Sequence, residues 1–397
     1  MTETGPSGSI REGLPEVLIV AEDGDAGGIG RYCVDLAALL GARAHVVCLC
    51  PTACEARCWL ADQCATRGVA LVRVPMSARG WRRGLVGLAR AWRSNRRPAV
   101  HVNGRRGNFL SLASRVSMPG FRYVTTAHGV LGLHARRNVL YRVVDLAASR
   151  GATRVIAVSA DTRRRLVRAG SPGGRTVVIL NGLGEAELRA YGSVAERRRR
   201  RPAQGPLRVG FLGRLSPEKG TRELLEVARG LLAEDTSSTL AIAGDGPERA
   251  WLENAARALT ATGRLSWEGA IRDVAGFLAS VDVLVMPSHN EGLPYVLLEA
   301  MAAGCGVVAF RVGGIPEVVA DESMGVLVEP GDVRALVRAV VELAADPARV
   351  RSLGQAASAH IQARFALRDR LPDLARAYGR ELAPAPRSAA ASGNPPA

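Results

Sequence analysis

Short runs of aliphatic and β-branched residues recur along this 397-residue chain, separated by segments long enough for a helix. The first half carries EVLIVAE, AHVVCLC, VALVRV, AVHVN, FRYVTTA, TRVIAVS and TVVIL. The second repeats the theme with LRVGFLG, STLAIAG, VDVLVMP, CGVVAF and GVLV. Strands that read as unbroken apolar runs, each followed by a helix, belong to parallel sheets covered on both faces. The expected fold class is therefore α/β, with two doubly wound parallel-sheet domains facing across a cleft. Ligands of such sheets bind beyond the carboxyl ends of the strands, which directs attention to the loops there.

The boundaries follow composition. Residues 1–13 and 383–397 (the latter ending ASGNPPA) are too poor in core formers to fold and are expected to be disordered. Residues 14–190 form the first domain and 207–365 the second. Between them, 191–206 includes ERRRRRPAQGP, whose like charges, proline and glycine predict an extended, solvated linker. Residues 366–382 form a last helix.

Composition excludes several classes. No apolar run approaches the roughly 18 residues of a membrane span. The opening MTETGPSGSIREG lacks the pattern of a secretory signal, so the cytoplasm is the expected address. A net charge of +16 invites a nucleic-acid reading. Yet nearly all of it is arginine, aromatics are 4%, and no nucleic-acid motif is present, so no nucleic acid is expected. Anionic phosphates or an anionic membrane surface account for the charge better. Five of seven cysteines lie between Cys48 and Cys64, including Cys54 and Cys58, without the paired knuckles of a zinc site. Reduced thiols filling space are expected, and no metal.

The loop SHNEGL leaves the run VDVLVMP, and Pro294 opens a helix that ends near Gly304. Glu291 falls in the loop and Glu299 inside the helix, separated by roughly 8 Å or more from the rise per residue. Two readings are open: the carboxylates hold two ends of one elongated ligand, or Glu299 pairs with a buried arginine while Glu291 caps the helix. The N–H groups of Gly292 and Leu293 suit a diphosphate. In VGFLGRLSPEKG, Arg214 and Lys219 follow a strand; the first offers a planar fork to phosphate oxygens, the second a point charge. Lys219 is the only lysine in the chain. Gly244 and Gly246 of AIAGDGPE would admit a flat ligand close to the backbone.

In the first half, EDGDAGGIGRY joins a strand to its helix. Its glycines, Gly28 among them, resemble a dinucleotide fingerprint at altered spacing and line the cleft; Asp23 and Asp25 mimic a metal-binding pair with no third ligand visible. His128 ends the run YVTTA and is either structural or in contact with the reacting centre. Residues 78–97, rich in arginine with Trp81 and Trp92, form either a basic amphipathic helix on an anionic membrane or a helix covering the sheet.

Taken together, EGLPYVLLEAMAAG, GRLSPEKG, GDGPE, HG and VILNG resemble glycosyltransferase family 4, over roughly residues 14–382. The resemblance implies the GT-B fold, a pair of Rossmann-like domains. It implies a retaining, metal-independent transfer of sugar from a nucleoside diphosphate donor, UDP- or GDP-linked, to a glycan, lipid-linked or small-molecule hydroxyl. No cofactor is implied beyond that substrate. By the same resemblance Glu299 holds the ribose and Glu291 the sugar, while Arg214 and Lys219 grip the diphosphate. His128 acts at the reacting centre, Gly28, Gly246, Gly292 and Leu293 line the donor site, and the 366–382 helix crosses back onto the first domain. Two departures stand out, Gly184 in NGLGEAEL and Gly306 in AAGCGVVAF. A sugar-nucleotide epimerase and a non-catalytic nucleotide-sugar binder are the rival readings. Peripheral contact with the inner membrane face is a further expectation from residues 79–97.

Overall fold

The computed structural model describes residues 16–22, 27–50, 59–76, 81–95, 98–129, 139–200, 206–233 and 237–379. Seven strands form the first sheet: β1 (Val17–Glu22), β2 (Ala44–Cys50), β3 (Ala70–Pro75), β4 (Ala99–Asn103), β5 (Tyr123–Ala127), β6 (Arg154–Ala157) and β7 (Thr176–Val178). Their order is β3-β2-β1-β4-β5-β6-β7, parallel throughout. The second sheet holds β8 (Arg208–Leu212), β9 (Thr239–Ala243), β10 (Leu265–Gly269), β11 (Val283–Met286), β12 (Gly306–Phe310) and β13 (Val326–Val328). It runs β10-β9-β8-β11-β12-β13, also parallel. Leu18, Ile19 and Val20 of β1 are wholly buried, as burial on both faces requires. In each sheet the winding reverses beside the first strand, and the two switch points flank the cleft.

Around and behind the cleft lie α1 (Gly28–Leu40), α2 (Arg105–Ser117), α3 (Val139–Gly151), α4 (Ala160–Arg168), α5 (Glu185–Arg200), α6 (Tyr295–Ala302), α7 (Pro347–Arg364) and α8 (Leu371–Ala377).

The expected linker is corrected in part. Residues 191–200 are not extended but complete α5, with Tyr191 and Val194 buried against the second lobe. The arginine run is tolerated because its charges have partners. Arg198 reaches Asp282 at 2.8 Å and donates to the carbonyls of Leu278 and Val281, while Arg199 and Arg200 pair with Glu196 one turn back. Strand β10 also escapes the sequence pattern. Its LSWEG alternates buried and exposed, as an edge strand does, and lacks a continuous apolar run. The helix Trp81–Ser94 lays Leu88 and Trp92 into the core beneath the first sheet, so its apolar face is spent on the protein. Cys54 and Cys58, like residues 1–13 and 383–397, lie outside the described residues.

The lobes are stitched twice. Leu183 exchanges backbone hydrogen bonds with Phe365 and Leu367, at 2.8 and 2.9 Å. Gly182 is needed there, because a Cβ would stand 2.9 Å from the Leu367 backbone. Beyond α8, Tyr378 returns to the first lobe and its hydroxyl meets His101 Nδ1 at 2.7 Å. His101 Nε2 lies 2.6 Å from Thr126 Oγ1, so both ring nitrogens of this buried histidine are satisfied. Replacing Tyr378 with Phe should strand one of them and cost about 1–2 kcal/mol in urea unfolding. An unchanged midpoint would show that this return contact ties nothing.

Candidate active site

The site begins where β8 and β11 end. Strand β8 turns at Gly213, and Pro217–Lys219 form one 3-10 turn closed by Gly220 at φ 74°. A side chain at Gly220 would collide with the Pro287 carbonyl oxygen at 2.0 Å. Glycine therefore lets this turn press against the exit of β11, where His289 N donates to the Glu218 carbonyl at 2.9 Å. That approach carries Lys219 Nζ to within 2.6 Å of Glu291 Oε1. Lys219 is partly exposed and Glu291 nearly buried, so the pair sits at the floor of the crevice with one open side. Arg214 is exposed beside them and makes no ion pair among the described residues.

Gly292 follows Glu291 and faces the other lobe. Its missing side chain is what admits the His128 carbonyl oxygen, which a Cβ would meet at 2.0 Å. Among the described residues, the N–H groups of Gly292 and Leu293 donate to no protein acceptor, and α6 starts just after them with Pro294 as its N-cap. This end of α6 is a ready seat for an anion. Two further contacts clamp the lobes here. Glu317 accepts from the Ala160 N–H at 2.8 Å at the start of α4, and Arg165 Nη1 donates to Asn290 Oδ1 at 3.3 Å.

His128 lies across the crevice at the end of β5. Its Nε2 is 2.9 Å from Asn103 Oδ1, and the Asn103 amide nitrogen points to the Val20 carbonyl. That orientation makes the asparagine oxygen an acceptor, so Nε2 carries the hydrogen and Nδ1 keeps its lone pair. The Tyr32 ring packs edge-on at 4.8 Å, and burial lowers the imidazole pKa to about 4. At neutral pH His128 is an uncharged acceptor. Asn103, which aims it, is invisible as a site residue in the sequence.

Glu299 is held by partners from the first lobe and from α5. Its Oε1 takes a charge-assisted bond from Arg31 Nη1 of α1 and another from the Tyr191 hydroxyl at 2.8 Å. Arg31 also reaches Glu187 at 2.8 Å and stacks over the Tyr295 ring, while Arg67 joins Asp35 and Glu187 at 3.3 Å. The reading in which Glu299 pairs with a buried arginine is thus the arrangement observed. The alternative in which Glu291 caps the helix is not: Glu291 binds Lys219. Burial is the main force raising Asp35 to about 7, with Glu187 adding to it. Gly28 sits against Tyr295, at the same junction. Side chains at Gly244 and Gly246 would strike the carbonyl oxygens of Gly213 and Leu215 at 1.8 and 2.3 Å, so glycine at both places lets the two loops pack together. Asp23 and Asp25 lie outside the described residues, among which no cluster of three metal-ligating side chains occurs.

Residues 206–346 match the family described as Glycosyl transferases group 1, and residues 26–185 match Glycosyltransferase Family 4. The 2-deoxystreptamine glucosyltransferase of Streptomyces kanamyceticus is 29% identical over 67% of this chain and 76% of its own. Glycogen synthase of Mycobacterium tuberculosis is 26% identical over 85% of this chain and 87% of its own. Among solved structures, HepE of Anabaena in complex with UDP-glucose superposes with a TM-score of 0.75 at 22% identity, covering 91% of this chain and 98% of that one. Sucrose-phosphate synthase from Thermosynechococcus elongatus gives 0.76 at 22% over the same shares, so the fold is common to both.

The depressed pKa of His128 has a sign that can be checked. The unfolded imidazole gains its proton near pH 6.5 and the folded one only near 4, so its contribution to stability is lost as pH falls through that window. Thermal melts from pH 7 to 4.5 should therefore decline less steeply for His128→Ala than for the wild type. Equal slopes would contradict the neutral assignment.

Proposed function

The chain belongs to glycosyltransferase family 4 with the GT-B fold, and from that membership we propose a retaining transfer from a nucleoside diphosphate sugar to an acceptor hydroxyl. The observation that carries the reading is the Lys219–Glu291 pair beside open amides of the Gly292–Leu293 loop, with His128 facing it. Lys219, Arg214 and those amides would balance the charge developing on the departing diphosphate, the kind of preorganised electrostatics that usually dominates such steps. Glu291, steered by Lys219, would accept hydrogen bonds from the sugar hydroxyls. His128 Nδ1 would accept another near the reacting carbon.

In this scheme the acceptor oxygen bonds to the anomeric carbon as the carbon–phosphate-oxygen bond breaks. The acceptor proton passes to the departing diphosphate oxygen on the same face, which retains configuration. The protein's positive groups carry the leaving charge without a resident metal, and a uridine or guanosine base is the expectation. A peripheral contact with an anionic membrane would use the exposed arginines of Trp81–Ser94, since that helix's apolar face is buried. Relatives named D-inositol 3-phosphate glycosyltransferase, one 37% identical over 48% of this chain, are consistent with cyclic polyol acceptors.

The test is a panel of UDP- and GDP-sugars with and without acceptor extracts. Transfer with retained anomeric configuration is expected, and Lys219→Ala should lower kcat by about a hundredfold or more, the usual effect of losing one transition-state donor. Release of an altered free sugar without acceptor would instead mark an epimerase. Donor binding with no turnover under any condition would mark a non-catalytic binder.

A further inference from the structure

A cavity of about 400 Å³ opens beside His128 and runs away from the donor crevice into the first lobe. Ile29, His128 and Gly129 line the part nearest the crevice, and it continues between α2, α3 and α4 beneath β5 and β6. Its volume lies within the range of small-molecule sites, roughly 300–1,000 Å³. Most of the wall is apolar: Val143 and Leu146 from α3, Val155 from β6, Leu166 from α4.

Three polar wall groups are engaged with one another, and Arg105, Thr126 and Ser149 line the space as well. Thr125 Oγ1 donates to Asn108 Oδ1 at 2.7 Å, and Asn108 Nδ2 donates to Asp145 Oδ1 at 3.0 Å. Asn108 thus spends its oxygen and one amide hydrogen within the wall. Burial raises the Asp145 carboxyl above its ordinary pKa, as expected for a group facing a poorly solvated space. A site built to read a carbohydrate would present unpaired donors and acceptors along its length. Here the aliphatic side chains of α3, α4 and β6 make up most of the lining, with Arg105 and Asp145 among them and Arg142 exposed.

We infer that this cavity seats the body of the acceptor, and that the acceptor is a compact apolar alcohol or phenol whose hydroxyl reaches the His128 end. This deepens the proposed transfer and rests on it. It departs from the polar acceptors in the names of the 2-deoxystreptamine and inositol phosphate relatives. The chemistry follows from burial: an apolar ring entering such a space is stabilised by about 25 cal/mol per Å² of apolar surface removed from water. A free glycan would have to set hydroxyls against the aliphatic side chains of α3, α4 and β6, which offer them no partner.

The test uses the full chain, 2-naphthol as the apolar probe, and maltotriose and myo-inositol as polar ones. Val143→Trp narrows the cavity from its exposed α3 side and Leu146→Trp fills the interior; the first keeps the test alive should the second fail to fold. Direct calorimetric binding of 2-naphthol to the wild type is expected, weakened at least tenfold in either variant. Transfer to it should lose at least tenfold in kcat/KM, mainly through KM, while acceptor-free UDP release and donor affinity stay within twofold. If the donor is neither bound nor cleaved while naphthol binding still depends on Val143, the transfer reading fails and the apolar site stands. Absence of naphthol binding, binding indifferent to both substitutions, or preferential transfer to maltotriose or myo-inositol would overturn the proposal.

Discussion

One ion pair, Lys219 Nζ to Glu291 Oε1 at 2.6 Å, links side chains of the loops leaving β8 and β11, the two strands between which the second sheet reverses its winding. Neither residue could reach the other without close backbone approach. Gly220 yields to the Pro287 carbonyl and Gly313, at φ 56°, to the carbonyl of Glu291 itself, so glycine at both places sets the spacing of the charges. A carboxylate this buried is unfavourable without a cation beside it. With Lys219 in place it is an oriented acceptor, and the cation keeps one side open to an anionic ligand.

The second lobe would be of little use alone. Gly292 meets the His128 carbonyl, Glu317 caps α4, and Arg31 binds Glu299, so these contacts, with those of Leu183 and Tyr378, set the lobes in one register. The Arg31 cluster is the most buried of them and gathers Asp35, Glu187, Glu299, Arg67 and Tyr191 from both lobes and from α5. Removing one charge from such a cluster strands the others in low dielectric, and the loss commonly reaches about 3–5 kcal/mol. The contacts that join the lobes therefore also position the acidic residues. The neutral His128, aimed by Asn103, completes the far wall.

Much of this was legible in the sequence because it is local. Continuous apolar runs announced parallel strands, and Glu291, Gly292, Leu293, Arg214 and Lys219 all fall in loops at strand ends, where an α/β ligand site must lie. What escaped depends on distance along the chain. Arg31 and Glu299 are 268 residues apart, and Arg198 and Asp282 are 84 apart, so a buried arginine partner for Glu299 could be offered but not named, and the helical arginine run was not foreseen. Strand β10 was hidden by its edge position. Gly246 is a subtler case: glycine marks a close approach, and only coordinates show that the loop of Leu215 makes one there.

The central claim is that Lys219 and Glu291 act as one unit on one bound donor. Measuring kcat/KM for Lys219→Ala, Glu291→Ala and the double variant against a common donor tests it most directly. Since each residue works through the other, the double variant should be hardly worse than the more damaged single one. Losses that simply multiply would mean the two side chains serve separate purposes, and the account of this crevice would not stand.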